Sequence, residues 1–221
     1  MDSVYFGLIG FLLIAGIYSF IVDHSPLSRH TLSTAMNEER RQWMRAVAAR
    51  PVRIMDTQII AGLQSGIAFF ASTALLGIGA AFTILTALET IMLAMADLPL
   101  LAHTSRTQWE MISLGLLVIY AYAFFKFGWA YRLTNYSAVL LGAAAERDNP
   151  EAALAACGRA AEMNLVAGRQ FNRGMHTLFF SIGYLALIAG PVAQIGTTLL
   201  IVGILAYRQF ASPALKALEP R

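Results

Sequence analysis

The sequence predicts an all-α fold, a polytopic membrane helix bundle of about four transmembrane helices with cytosolic helical extensions. Three observations predict it. Of 221 residues, 57% are hydrophobic and 13% charged, and the mean hydropathy of +0.60 is too high for an ordinary soluble domain. Four apolar stretches, at about 5–22, 59–92, 109–131 and 177–207, are comparable to or longer than the ~20 residues that cross hydrocarbon. Arginines crowd the polar segments between them. Together these make one integral membrane domain over residues 1–221.

Met1-Asp2-Ser3 lacks the basic start of a signal peptide, so the first span, 5–22, is expected to stay attached. The polar segment from Asp23 to Asp56 carries Arg29, Arg40, Arg41, Arg45, Arg50 and Arg53. The positive-inside rule places it in the cytoplasm and the N-terminus outside. Within it a helix is expected over 33–50, with Ser33 or Thr34 as cap, Glu38 and Glu39 early, and a stop before Pro51. Trp43, Val47 and Arg50 share a face of that helix. An amphipathic helix lying on the membrane or on a cytosolic neighbour explains them more simply than ligand binding does.

The second span, 59–92, holds no proline and no charge before Glu89. From Asp56 to Leu93 a helix would measure about 55 Å, so it must protrude, tilt or break. Its first turns carry Gln58, Gln64, Ser65, Ser72 and Thr73, which are costly against lipid and are therefore expected to face inward. Gly62 and Gly66 have the small-xxx-small spacing of close helix contact, continued by Gly77 and Ala81, and Phe69 and Phe70 lie at one depth. Gln58, Gly62, Gln64, Ser65, Gly66, Phe69, Phe70, Ser72 and Thr73 are thus the candidate pathway or helix-packing residues. Asp97, Pro99 and His103 to Gln108 form the expected external loop.

The third span, 109–131, has aromatic residues at both ends, an interfacial belt. Lys126 lies near its inner end, where snorkelling is a simpler account than a buried functional lysine. Arg132 to Met175, with Arg147, Arg159, Arg169 and Arg173, reads as cytoplasmic again. Asp148-Asn149-Pro150-Glu151 is a strong helix start, with Asn149 as cap, and an alanine-rich helix is expected over 150–172. The stretch 177–207 is interrupted by Gly190-Pro191. Each half falls short of a crossing, so one kinked helix is expected, with a hairpin at Gly190-Pro191 as the alternative. A single crossing would leave Arg208, Lys216 and Arg221 outside, against the charge rule.

Several stretches together resemble one family, the bacterial and plant membrane proteins known as domain of unknown function 599 (DUF599). The matching residues are Arg41-Gln-Trp43, Arg53-Ile-Met-Asp-Thr-Gln58, Leu63 to Thr73, Phe125 to Arg132, Asn135-Tyr136, Gly142-Ala143 and Asn172-Arg-Gly174, followed by Phe179-Phe180 and Gly190-Pro191. They extend over nearly the whole chain. Ala143 to Glu146 departs from the pattern, which has a proline soon after Gly-Ala. The resemblance implies a membrane setting, here the inner (plasma) membrane of a bacterium, and no established activity.

Nucleotide-binding glycine motifs do not occur. His24, His30, His103 and His176 lie scattered, without a second ligand at helical spacing, so neither a metal nor a cofactor is expected. Ser72 and Ser181 lack a sequence neighbour that would make a catalytic triad, and the single Cys157 sits among alanines as a packing residue. No basic patch interleaved with aromatics suggests nucleic acid. Arg53 and Asp56, three apart at the root of the second span, can pair, and a buried cytosolic cluster of Arg53, Asp56, Arg132 and Asn135 is expected. The reading that follows is a non-catalytic structural or accessory membrane subunit, its partners the lipid bilayer and either further copies or other membrane subunits. The alternative is a homo-oligomeric channel or transporter with the second helix lining its pathway.

Overall fold

The computed structural model describes residues 2–95, 104–144 and 149–218. Among them there are helices and no strands: α1 (Asp2–His24), α2 (Leu32–Ala49), α3 (Ile54–Thr86), α4 (Leu88–Met95), α5 (Arg106–Gly142), α6 (Pro150–Leu185), α7 (Pro191–Phe210) and the short α8 (Pro213–Lys216). Four helical stretches, Val4–His24, Ile54–Thr86, Arg106–Gly142 and Pro191–Lys216, are long and apolar enough to cross a membrane. Asp97, Pro99 and His103 of the expected external loop, and residues 145–148, lie outside the described residues.

The excess length of the second span is resolved in two ways. α3 extends below the apolar stretch to Ile54, and the chain breaks at Ala87 (φ −102°, ψ 23°) before the separate α4. Ile60, Ile67, Ala74 and Ala81 of α3 are all buried, and Leu88 follows at the same interval of seven. A sustained interval of seven keeps one seam on the neighbouring helix. That neighbour is α5, which buries Ile112, Leu116, Ala123, Phe127 and Ala130 along its length.

Other element ends follow from local chemistry. α2 is capped by Thr31, whose hydroxyl accepts from the Thr34 amide at 3.2 Å, two residues before the expected Ser33. Asn149 caps α6 as expected, accepting from the Ala152 amide at 3.1 Å. α6 does not stop near Asn172, however; it continues to Leu185.

The stretch 177–207 is not one kinked helix. Gly190 adopts φ 102°, ψ 169°, a left-handed-side backbone that favours glycine, and Pro191 starts α7 in the opposite direction. A Cβ placed on Gly183 would lie 3.2 Å from the Thr198 Cα, which shows how closely the two arms of this hairpin run. Polar contacts fix the turn beside the start of α5, where Gln108 Nε2 donates to the Leu187 carbonyl at 2.6 Å. At the other end Asn172 of α6 donates to Ser33 Oγ at 2.9 Å, and Ser33 Oγ donates to Gln209 Oε1 of α7 at 3.1 Å. α7 therefore returns to the end of the bundle where α2 sits.

α1 closes this half of the bundle. Phe11 meets Tyr184 edge-on at 5.1 Å, Tyr18 meets Phe180 at 5.8 Å, and Asp23 accepts from Arg173 at 2.8 Å. Below that level the lower parts of α3, α5 and α6 continue into a cap with α2, around Met44, Val47, Cys157 and Ala160, all fully buried. α2 thus rests on a helical neighbour.

Candidate functional site

The polar groups of the cap gather where α2 hands over to α3. Pro51 cannot continue α2, and it holds Arg50 extended at φ −80°, ψ 133°. Three residues of connection then bring Asp56, in the first turn of α3, beneath the indole of Trp43. Asp56 is 1% exposed. Trp43 Nε1 donates to Asp56 Oδ1 at 2.8 Å, and the Arg50 guanidinium donates to the same oxygen. Arg50 keeps about a third of its side chain exposed (35%), so the pair neutralises a buried carboxylate without fully desolvating the cation.

Arg53 takes a different partner. Its guanidinium lies 3.4 Å from the carbonyl oxygens of both Leu141 and Ala144, at the C-terminus of α5. A cation there meets the negative end of the helix dipole. Asp56, Arg53, Thr57, Ile60 and Gln64 line one cleft of about 350 Å³ against α5. One turn further along, Gln64 Nε2 donates to Asn135 Oδ1, and Ser137 Oγ donates across to the Ala160 carbonyl at 2.9 Å. These bonds tie α3 to α5 and α5 to α6.

The expected cluster of Arg53, Asp56, Arg132 and Asn135 is therefore only partly assembled. Asp56 is buried, Arg53 is half-buried beside the same cleft, and Asn135 reaches Gln64 rather than a charge. Arg132 stands exposed, donating to Tyr136 on its own helix. The ion pair with Asp56 is made by Arg50 and not by Arg53, because the α5 carbonyls engage Arg53. Trp43 and Arg50 were absent from the expected cluster; their shared face on α2, directed at Asp56 across Pro51, was the available signal.

The candidate residues of α3 also divide. Gln64 and Phe70 turn inward, Phe70 stacking with Phe127 at 5.9 Å. Gln58, Gly62, Ser65, Gly66, Phe69, Ser72 and Thr73 are exposed, contrary to the expectation that the polar ones face inward. The hydroxyls of Ser65 and Thr73 donate to the carbonyls of Ala61 and Phe69, each at 3.0 Å, so their own helix satisfies them. Gly62 and Gly66 do not bring helices together within the chain, since a Cβ on either meets nothing within 4 Å. The close contact is at Gly77, where a Cβ would stand 2.8 Å from the Tyr120 ring.

In the cap, burial pushes the Cys157 thiol upward and holds it in the unreactive thiol form. The carboxylate of Asp56 is engaged by two donors. This arrangement fastens helices to one another.

Comparison with known proteins adds one finding. The profile of a family described as "Protein of unknown function, DUF599" matches residues 6–214. No curated protein and no solved structure matches the chain.

Proposed function

The chain belongs to the DUF599 family, and from its geometry we propose that it is a non-catalytic structural or accessory subunit of a membrane assembly, a bundle that carries a helical cap. The observation that supports this most directly is the Asp56 junction. Trp43 and Arg50 of the cap close on a carboxylate in the first turn of a helix that runs on unbroken to Thr86, well into the apolar stretch. α5 and α6 pass through both levels in the same way. Cap and bundle share three continuous helices, which suits the protein to holding partners in register.

In this reading the cap lies in the cytoplasm of a bacterial cell, beneath the inner membrane, with the N-terminus outside. Arg29, Arg40, Arg41, Arg45, Arg50, Arg159, Arg169 and Arg173 all lie on segments at the cap end. The hairpin at Gly190 brings Arg208 and Lys216 to that end as well, which removes the conflict with the charge rule.

The exposed face of α3 supports a second reading. Gln58, Gly62, Ser65, Phe69, Ser72 and Thr73 follow one another at intervals of three and four or less on the side away from α5. Copies arranged with α3 on a common axis would enclose these residues as a pathway. Stoichiometry separates the two. Purification of the full chain from its native membrane in mild detergent is expected to yield it with other membrane proteins in fixed ratio. A closed ring of this chain alone, with ion flux in proteoliposomes that Ser72→Trp abolishes, would overturn the accessory role.

A further inference from the structure

Between α2, α6 and α7, close to the Asp23–Arg173 pair, lies a cleft of about 250 Å³. Two guanidinium groups line it, Arg40 from α2 and Arg208 from α7, together with Asn172 and Gln209. Ser33 and His176 line it as well, and Met36, Met175 and Leu205 form an apolar wall. Three carboxylates of α1, α2 and α6 are engaged by other arginines, Asp23 by Arg173 at 2.8 Å, Glu162 by Arg41 at 3.2 Å and Glu38 by Arg45 at 2.8 Å, and Glu39 is exposed.

Among the described residues Arg40 makes a single hydrogen bond, to Asn37 Oδ1 at 3.3 Å, and no ion pair. Burial lowers its pKa from the ordinary arginine value, the sign of a charge held out of water without compensation. Its seat is shaped for it. A Cβ on Gly168 of α6 would stand 2.8 Å from the Arg40 Cζ, so the guanidinium packs directly against that glycine. On its far side Arg40 opens on an apolar slot of about 180 Å³, which Asn164 also lines. Asn164 is 3% exposed, and its side chain makes no hydrogen bond among the described residues. Arg208 lies over the Phe179 ring at 5.9 Å, likewise without a carboxylate among the described residues.

We propose that this cleft binds the phosphate of an anionic phospholipid, with Arg40 and Arg208 as its donors and the acyl chain along the apolar wall. A guanidinium fork matches the oxygens of a phosphate, and it supplies the counter-charge that the fold withholds from Arg40. The place fits a headgroup, because here α1 ends at His24 and the chain passes from the apolar span to the arginine-rich cap. The half-polar, half-apolar lining favours a lipid over free phosphate.

The test uses the full chain, purified in neutral detergent, delipidated, and titrated separately with phosphatidylglycerol, phosphatidylcholine and inorganic phosphate. Native mass spectrometry counts what stays bound. One phosphatidylglycerol is expected to be retained in preference to phosphatidylcholine. Arg40→Gln and Arg208→Gln should each weaken that retention by about tenfold, the usual weight of one charge-assisted hydrogen bond. Arg159→Gln, at an exposed position on α6, should leave it unchanged. Arg208 is itself exposed, so its variant should keep the lipid-free denaturation midpoint, and loss of lipid there cannot be ascribed to unfolding. Retention undiminished from wild type in both arginine variants, or retention of phosphatidylcholine equal to that of phosphatidylglycerol, overturns the site. Saturation by inorganic phosphate that displaces the lipid and binds as tightly alone overturns the lipid assignment and makes it a free-anion site.

Discussion

Asp56 concentrates the energetics of the cap in one side chain. Removing it in Asp56→Ala leaves the Trp43 N–H and the Arg50 guanidinium without their acceptor. Breaking a buried pair costs about 3–5 kcal/mol, and the partial exposure of Arg50 reduces this to about 2–4 kcal/mol. Asp56→Asn keeps an oxygen for Trp43 and should cost about half as much. Denaturation in detergent, followed by tryptophan emission, should rank wild type above Asp56→Asn and Asp56→Ala lowest; equal midpoints for all three would show that the bond is not formed. Space decides the glycines in the same way. Gly77→Leu must displace Tyr120 and should lose about 1–3 kcal/mol, whereas Gly62→Leu meets open space and should stay within about 0.5 kcal/mol in the monomer. A reversed order of these two would mean that α3 faces α5 with its other side.

At the scale of the element, the Gly190 hairpin sets the direction of the chain from Pro191 onward. A reporter fused after Ser212 should read the same side as reporters after Arg50 and Arg159; the opposite side at Ser212 would restore a single kinked crossing. The cap offers a separate check. Cys157 is fully buried with its thiol pushed upward, so maleimide should label it slowly at neutral pH and rapidly once denaturant opens the cap. The sequence revealed what depends on near neighbours. Asn149-Pro150 announced the start of α6, and the four apolar stretches announced a bundle. It hid what depends on contacts distant in the chain. Whether Gly190-Pro191 kinks or reverses depends on Gly183 meeting Thr198, and on Gln108 reaching the Leu187 carbonyl. The polar residues of α3 misled for a related reason, since Ser65 and Thr73 find acceptors on their own helix and need no partner across a seam. Arg53 and Arg50 compete for Asp56 on equal terms in sequence; the carbonyls at the end of α5 decide between them.

For the whole molecule, the continuity of α3, α5 and α6 makes the cap an extension of the bundle. Weakening the cap should therefore be felt throughout. Asp56→Ala is expected to lower the unfolding midpoint as one transition, with hydrogen exchange accelerated in α2 and in the lower turns of α3 together; a separate early transition confined to α2 would show that the cap hangs loosely. The two sides of α3 carry this coupling furthest. Its inner line, Ile60, Ile67, Ala74 and Ala81, meshes with α5 like the teeth of a gear, while its outer line from Gln58 to Thr73 faces whatever lies beyond the chain. Both lines belong to one rod, so the tooth that fits α5 also fixes the compass bearing of the outer line. Enlarging Ala74, which touches nothing outside the chain, would turn the rod on its axis and re-aim a surface on its far side.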